Sequence, residues 1–303
     1  MRSKGGFVKK LTVFAMTEKG YAVVRLLLTR YPGLVASVIS SRDKEIAEDF
    51  YSEIATLCQS RNVSFHDRAD ASPIRTKHAL AVAWRWLIDG RSANLIVFHD
   101  SLLPHYRGFN PLVTALINGD TKIGVTALHA ATQYDRGDIV AQSSSSISYP
   151  IKIKEAIKIV LKNYETLAAE IGESLSRGRE LSVRKQNEAE ASYSLWRDDE
   201  DYFIDWSQSA GDIKRFVDAV GHPYKGAAAT VDRQVVRIRD AEALRDVHIA
   251  NRTAGKVIFH EGDKPVVVCG HGLLRIIDLI DDQTGASLLP LPRFRIRFKG
   301  IRR

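Results

Sequence analysis

The chain of 303 residues is 45% hydrophobic and 26% charged, the balance of a soluble globular protein with room for one large or two ordinary domains. Its two cysteines, Cys58 and Cys269, exclude a disulfide framework and a cysteine zinc site and suit a reducing cytoplasm, and no segment has the length of a membrane span. A formal net charge of +8 favours an anionic partner, be it nucleic acid, a nucleotide-linked substrate or a polyglutamylated cofactor, without choosing among them.

The N-terminal VKKLTVFAM begins with basic residues, but its apolar run is too short for a signal peptide and is followed by Glu18 and Lys19. It reads as a first strand over 11–16. A helix over 21–30 that stops near Pro32, a strand over 34–39, a helix over 45–60 and a short strand over 63–65 follow. The stretch from 66 to 82 reads as helical. Residues 95–98, an unbroken apolar run bounded by polar residues, read as a strand buried on both faces. Strands alternating with helices predict an α/β, Rossmann-like fold around a mainly parallel sheet.

From 154 to 176, Ile157, Val160, Leu161, Tyr164, Leu167, Ile171 and Leu175 share one helical face, and Gly178 supplies the stop. Residues 178–200 are polar and aperiodic, which places a boundary there and gives domains over 1–185 and 186–303. Ser209 with Asp212 resembles a capping box, opening a helix whose stripe of Ile213, Phe216, Val217 and Val220 ends at Gly221 and Pro223. The strand-length runs QVVRIRD, KVIFHEG, KPVVVCG and LLRIIDLI then predict a smaller β-rich subdomain. The last eleven residues, RFRIRFKGIRR, set six basic residues in alternation with Phe294, Ile296 and Phe298, a strand with one basic face that is either a solvated edge or an anion-binding surface. His222 and Tyr224 in GHPYKG read as a helix end.

The chemistry concentrates between 95 and 142, where LIVFHDSLLPHYRGFNP precedes a helix-sized stretch and then GVTALHAATQYDRGDIVAQ. His99 falls at the carboxyl end of a predicted parallel strand, the edge at which open α/β sheets bind ligands. Asp135 falls on a glycine-containing loop, and a histidine with an aspartate can together run acyl-transfer chemistry. Other chemistries lack their patterns. AMTEKGY, not GxGxxG, follows the first strand, and there is no Walker A sequence. His99, His105, His129 and Asp135 lack the HExxH spacing of a metal site, so no metal is expected, and Ser101 lacks the G-x-S-x-G elbow of a nucleophile.

HDSLLPHYRG, the GVT after it, and the D-x-G-x-I-x-x-Q of Asp135, Gly137, Ile139 and Gln142 resemble the signature of the formyltetrahydrofolate-dependent formyltransferases, with His99 and Asp135 at that family's spacing. WRDDEDYFIDWSQSA, AVGHPYKGAAATV, GKVIF and PVVVCGHGLLRI are similar to the C-terminal part of sugar N-formyltransferases, most closely the domain that modifies UDP-4-amino-4-deoxy-L-arabinose. The resemblance implies the formyltransferase fold with an OB-like C-terminal subdomain, 10-formyltetrahydrofolate as co-substrate and a nucleotide-linked amino sugar as acceptor in surface-polysaccharide synthesis. It implies His99 as general base or proton shuttle and Asp135 as its partner. It also implies Trp84, Arg85, Trp86, Leu87 and Gly137 at the folate, and Ser101 and Arg107 at the acceptor. For Trp84 a place in the core, for Ser101 the capping of a turn, and for Arg107 the stabilising of a turn are the alternatives from the residues themselves.

One position departs from the pattern. Two residues before the histidine most of the family has asparagine, whose amide polarises the formyl oxygen, and here stands Val97, which has no donor. The hydrolase domain of formyltetrahydrofolate dehydrogenase also carries an aliphatic residue there. The imidazolium of His99 and backbone amides after Asp100 are the expected substitutes. Methionyl-tRNA formyltransferase, with tRNA as partner, is the first alternative; a formyltetrahydrofolate hydrolase and a non-catalytic binding protein are the others. The sequence leaves the amino sugar and the oligomeric state open, and a homodimer is compatible with it.

Overall fold

The structure, a computed structural model, describes residues 11–43, 48–70, 74–88 and 94–300. Lys9 and Lys10, the expected helix start at Glu45 and the last three residues of the basic tail lie outside these. The chain divides into two compact units that interleave in sequence: residues 1–108, 122–145 and 158–194 form one, and residues 109–121, 146–157 and 195–303 the other.

The first unit is built on a seven-stranded sheet. Its strands are β1 (Leu11–Ala15), β2 (Val35–Ser40), β3 (Ser64–Asp67), β4 (His78–Val82), β5 (Asn94–His99), then, after the two-residue β6 (Arg107–Gly108), β7 (Lys122–His129) and β8 (Ile139–Ser146), in the order β3-β2-β1-β4-β5-β7-β8. β1 to β5 pair in parallel, and β7 runs antiparallel to β5 with His99 opposite Thr126. Helices α1 (Thr17–Arg30) and α2 (Tyr51–Ser60) are the crossovers of the first strands. The Rossmann-like, mainly parallel sheet expected from the alternation is present.

The stretch 66–82 is a correction. It holds a short 3-10 turn over Arg68–Asp70 and then β4, whose HALAV is buried at every position. Alanine and leucine favour a helix in isolation, but a slot between β1 and β4's other neighbour β5 buries both faces, and that environment overrides propensity. The long helix α4 (Ile153–Ser176) buries most of the predicted stripe, with Val160, Tyr164, Leu167, Ile171 and Leu175 all at 2% exposure or less and Ile157 and Leu161 half-buried. It lies beside α1, where the hydroxyl of Tyr31 donates to the carbonyl of Ala169 at 2.8 Å and a Cβ at Gly172 would collide with the Tyr31 ring.

In the second unit, α3 (Pro111–Asn118) packs with α5 (Ala210–Ala219). Ser209 accepts from the amide of Asp212 at 3.1 Å and donates to its carboxylate at 2.6 Å, the expected helix cap. A five-stranded sheet follows, with strands β10 (Ala227–Val231), β11 (Gln234–Leu244), β12 (Val257–Glu261), β13 (Lys264–Val268) and β14 (Leu273–Asp281) in the order β10-β11-β14-β13-β12 and every determined pairing antiparallel. In the tail, Ile296 and Phe298 are buried and Arg295 and Arg297 exposed, but Phe294 is exposed and the expected strand is reduced to isolated bridges, of Arg297 with Lys256 and Lys299 with Thr230. Among the described residues no helix is long and apolar enough to cross a membrane.

Candidate active site

His99 ends β5 at the carboxyl edge of the parallel strands and is 9% exposed. Its Nε2 lies 2.8 Å from the carbonyl oxygen of Tyr106. A carbonyl can only accept, so Nε2 carries the proton and Nδ1 is left as the basic nitrogen. Nδ1 faces Asp135, whose Oδ1 is 3.5 Å away, and the other carboxylate oxygen of Asp135 accepts from the amide of Gly108 at 2.8 Å. The ring is thus oriented by Tyr106, and the carboxylate meets the nitrogen that can take up a proton. Asp135 and Tyr106 both have positive φ (56° and 58°), an unfavourable backbone for non-glycine residues that the packing around them must hold in place, and at Gly108 (φ 103°) glycine adopts it freely.

The sequence motif fixes the loop that leads from His99 towards these residues. Thr126 Oγ1 donates to the Ser101 carbonyl at 2.7 Å and accepts from the amide of Leu103 at 3.0 Å and from Gln142 Nε2 at 2.8 Å. Gln142 also reaches the Leu103 carbonyl at 2.9 Å. The loop after β5 is therefore tied to β7 and β8 by side chains of the GVT and D-x-G-x-I-x-x-Q segments. Gly137 is glycine for space, because a Cβ there would stand 1.7 Å from the His129 carbonyl oxygen.

Several expected ligand residues have structural partners. Ser101 is 5% exposed and its hydroxyl donates to the His105 carbonyl at 2.6 Å, a turn cap. Arg107 is 1% exposed. Its Nε and Nη2 donate to Gln186 Oε1 at 3.1 and 2.8 Å, and its Nη1 and Nη2 clasp both oxygens of Glu188 at 2.8 and 2.7 Å. The turn-stabilising role is the one this geometry fits. Hydrogen bonding from Arg107 holds the exposed Glu188 carboxyl below its usual range, and the Arg136 and Arg107 guanidiniums lower the Tyr193 hydroxyl. Trp84 packs into the cluster of Phe14, Ile39, Ile74, Ala79, Ala81 and Leu95, and Trp86 lies against it, 5.1 Å between ring centroids, with Arg68 over its own face. Trp84 Nε1 is buried without a hydrogen-bond partner, an orphaned donor of the kind an amide-rich pterin satisfies. Arg85 pairs with Asp43, and Leu87 is 89% exposed.

Two networks beside His99 were not legible in the sequence. Asp100, on the residue after it, receives Lys19 of α1 and the hydroxyl of Tyr164 of α4. Burial pushes its carboxyl up, but Lys19, Tyr164 and His99 together outweigh burial and hold it below the usual carboxylate value. Burial and the Asp100 charge raise Tyr164 well above its usual value. The second network is the stretch 184–194, within the aperiodic residues expected to hold a domain boundary. It pairs with the loop after β5, through β9 (Tyr193–Ser194) against β6, and with Ile139 through Arg184. It has no hydrophobic period because it works through polar side chains and backbone.

Residues 85–165 match the family model for formyl transferase, and residues 197–286 match that for the formyl transferase C-terminal domain. The chain belongs to the formyl transferase family. The methionyl-tRNA formyltransferase of Marinobacter nauticus is 33% identical over 178 residues, 59% of this chain and 56% of that protein. The chain spans little more than half the length of the curated relatives it matches. Among solved structures, the N-formyltransferase from Helicobacter canadensis in complex with folinic acid and dTDP-3-aminofucose is similar at a TM-score of 0.68 and 14% identity, over 89% of this chain and 99% of that one. HypX from Aquifex aeolicus in complex with tetrahydrofolic acid is similar at 0.60 and 18%, over 92% of this chain and 45% of that one. At these identities the likeness is one of fold.

Against the formyl transferase pattern, Val97 packs with Leu103, Leu128 and Ile139, so no donor stands at its position. The amides of Ser101 and Leu103 are spent on the His99 carbonyl and on Thr126, which removes them as substitutes. Gln186, Glu188 and Tyr193 lie between the two matched segments. A cleft of ≈ 420 Å³ lined by Arg75, Lys77, His78, Asn94, His129 and Arg179 among others lies at the starts of β4 and β5, the edge opposite His99.

Proposed function

We propose that this protein is a cytoplasmic N-formyltransferase that moves the formyl group of 10-formyltetrahydrofolate to the amine of a nucleotide-linked amino sugar, for surface-polysaccharide synthesis. The observation that carries this reading is the His99–Asp135 pair at the carboxyl edge of the sheet, in a chain that matches both formyl transferase domains. The fold likeness to a sugar N-formyltransferase over nearly that protein's whole length supports the acceptor class.

The co-substrate supplies a formyl carbon bonded to a nitrogen that can leave. The acceptor amine attacks that carbon, and the carbonyl electron pair moves onto oxygen. The amine must then lose a proton. His99 Nδ1 is the acceptor, because Nε2 is already protonated and tied to Tyr106. The imidazolium so formed has its Nδ1 3.5 Å from Asp135 Oδ1, beside its counter-charge. Collapse restores the carbonyl, breaks the bond to the folate nitrogen and returns the proton to it. With valine at 97, the imidazolium formed by this transfer is the cation that opposes the oxyanion until it collapses.

A second reading, methionyl-tRNA formyltransferase, is favoured by the Marinobacter nauticus relative. Incubation with formyl-labelled 10-formyltetrahydrofolate and a panel of nucleotide-linked amino sugars, with initiator methionyl-tRNA in parallel, separates them. Label on one sugar supports the proposal. Label on the tRNA transfers the assignment to the second reading, and free formate with no labelled acceptor marks a hydrolase.

A further inference from the structure

Asp135 sits in the left-handed region at φ 56°, on a loop whose residues 131–134 are exposed and supply no packing of their own. Something else must hold its carboxylate against His99. Gln186 is placed to do so. Its Nε2 donates to the carbonyl of Asp135 at 2.6 Å and to that of Gly137 at 2.8 Å, using both amide protons on the two sides of the turn. Its Oε1 accepts Nε and Nη2 of Arg107 at 3.1 and 2.8 Å. The orientation of the amide is unambiguous, since carbonyls only accept and a guanidinium only donates. Arg107 is itself fixed by Glu188 and by burial. The residue after Arg107 is Gly108, whose amide holds Asp135 Oδ2 at 2.8 Å. The two segments that fix Asp135 therefore meet at one buried guanidinium.

We infer that Gln186 is a positioning residue for formyl transfer: fixed by Arg107, it holds the Asp135 turn so that the carboxylate faces His99 Nδ1. The inference rests on the formyl-transfer reading for its consequence in rate, but its geometric content stands apart from it. Gln186 touches neither His99 nor the carboxylate. It acts on the backbone that carries the carboxylate, and a displacement of about 1 Å at such a group costs on the order of 10²-fold in rate.

The test is Gln186→Glu, which keeps the acceptor for Arg107 and removes both donors to the turn, with Gln186→Met as the uncharged replacement if the first does not fold. Two quantities are read. One is the backbone amide of Gly108 by NMR in perdeuterated protein, which reports the hydrogen bond to Asp135 directly and which loss of general stability would not move. The other is kcat against KM for 10-formyltetrahydrofolate. The expected result is a Gly108 amide shifted upfield to its position in Asp135→Ala, with kcat lowered by about 10- to 100-fold and KM nearly unchanged. An unmoved Gly108 amide overturns the inference, and so does a moved amide with unchanged kcat. If the wild-type protein transfers no formyl group at all, the formyl-transfer reading fails and the rate effect with it; the amide still decides whether Gln186 sets the Asp135 turn.

Discussion

The imidazole of His99 donates from Nε2 to the carbonyl of Tyr106 at 2.8 Å, and this bond decides which nitrogen does chemistry. In the familiar hydrolase triad the carboxylate orients the ring from behind and the far nitrogen faces the substrate. Here a backbone carbonyl orients the ring, and the carboxylate of Asp135 lies on the side of the proton-accepting Nδ1. The resting protein should therefore show the Nε2–H tautomer in long-range 1H–15N correlation spectra of the imidazole. A neutral ring protonated at Nδ1 would contradict it.

Arg107 tests whether the structural role displaces the expected acceptor contact. Arg107→Lys keeps a charge but cannot reproduce the fork that joins Gln186 and Glu188, and it leaves a group at 1% exposure poorly paired. Urea unfolding should show a loss of about 1–3 kcal/mol from the hydrogen bonds the fork no longer makes. KM for the acceptor should stay near the wild-type value while kcat falls; a rise in acceptor KM with stability intact would restore the acceptor-binding role.

How much of this was legible in the sequence follows from where the signals are local. Strands such as 95–98 and the stripe of α4 announce themselves by period, and His99 and Asp135 by a motif whose spacing survives divergence. β4 was misread because HALAV has the composition of a helix and only the neighbouring strands make it one of them. The 184–194 stretch offers only an aperiodic boundary in the sequence, for a different reason. Its function lies in Gln186, Glu188 and Ser192 reaching residues 50 to 90 positions away, and polar side chains with distant partners leave no periodic trace.

Asp100 gives a pH-dependent prediction. Its folded-state carboxyl is held below the unfolded value of 3.8, so its contribution to stability is present above that value and is lost as pH falls through the folded one. Lys19→Met leaves the carboxylate with one fewer partner at a side-chain exposure of 22% and should cost about 1–3 kcal/mol at neutral pH. The cost should shrink in urea melts as pH falls below 3.8 and through the lower folded-state value, where the carboxyl protonates. A cost independent of pH would show that Lys19 acts by packing over Tyr164 and not through Asp100.

Both cysteines are fully buried, and burial pushes each thiol up to about 12. Neither supplies appreciable thiolate at pH 8, so iodoacetamide should leave both unmodified in the folded protein and alkylate both in denaturant. Mass spectrometry reads the outcome, and rapid labelling of the native protein at Cys58 or Cys269 would contradict the packing of that site.

The central claim is that the His99–Asp135 pair carries formyl transfer in this chain. Single-turnover transfer from formyl-labelled 10-formyltetrahydrofolate to an accepting amine, compared between wild type and Asp135→Ala with folate affinity measured alongside, tests it most directly. The account predicts labelled product from the wild type and a loss of about 10²–10⁴ in rate in the variant with folate affinity retained. Undiminished transfer by Asp135→Ala, or a wild-type protein that binds the folate and formylates nothing, would contradict it.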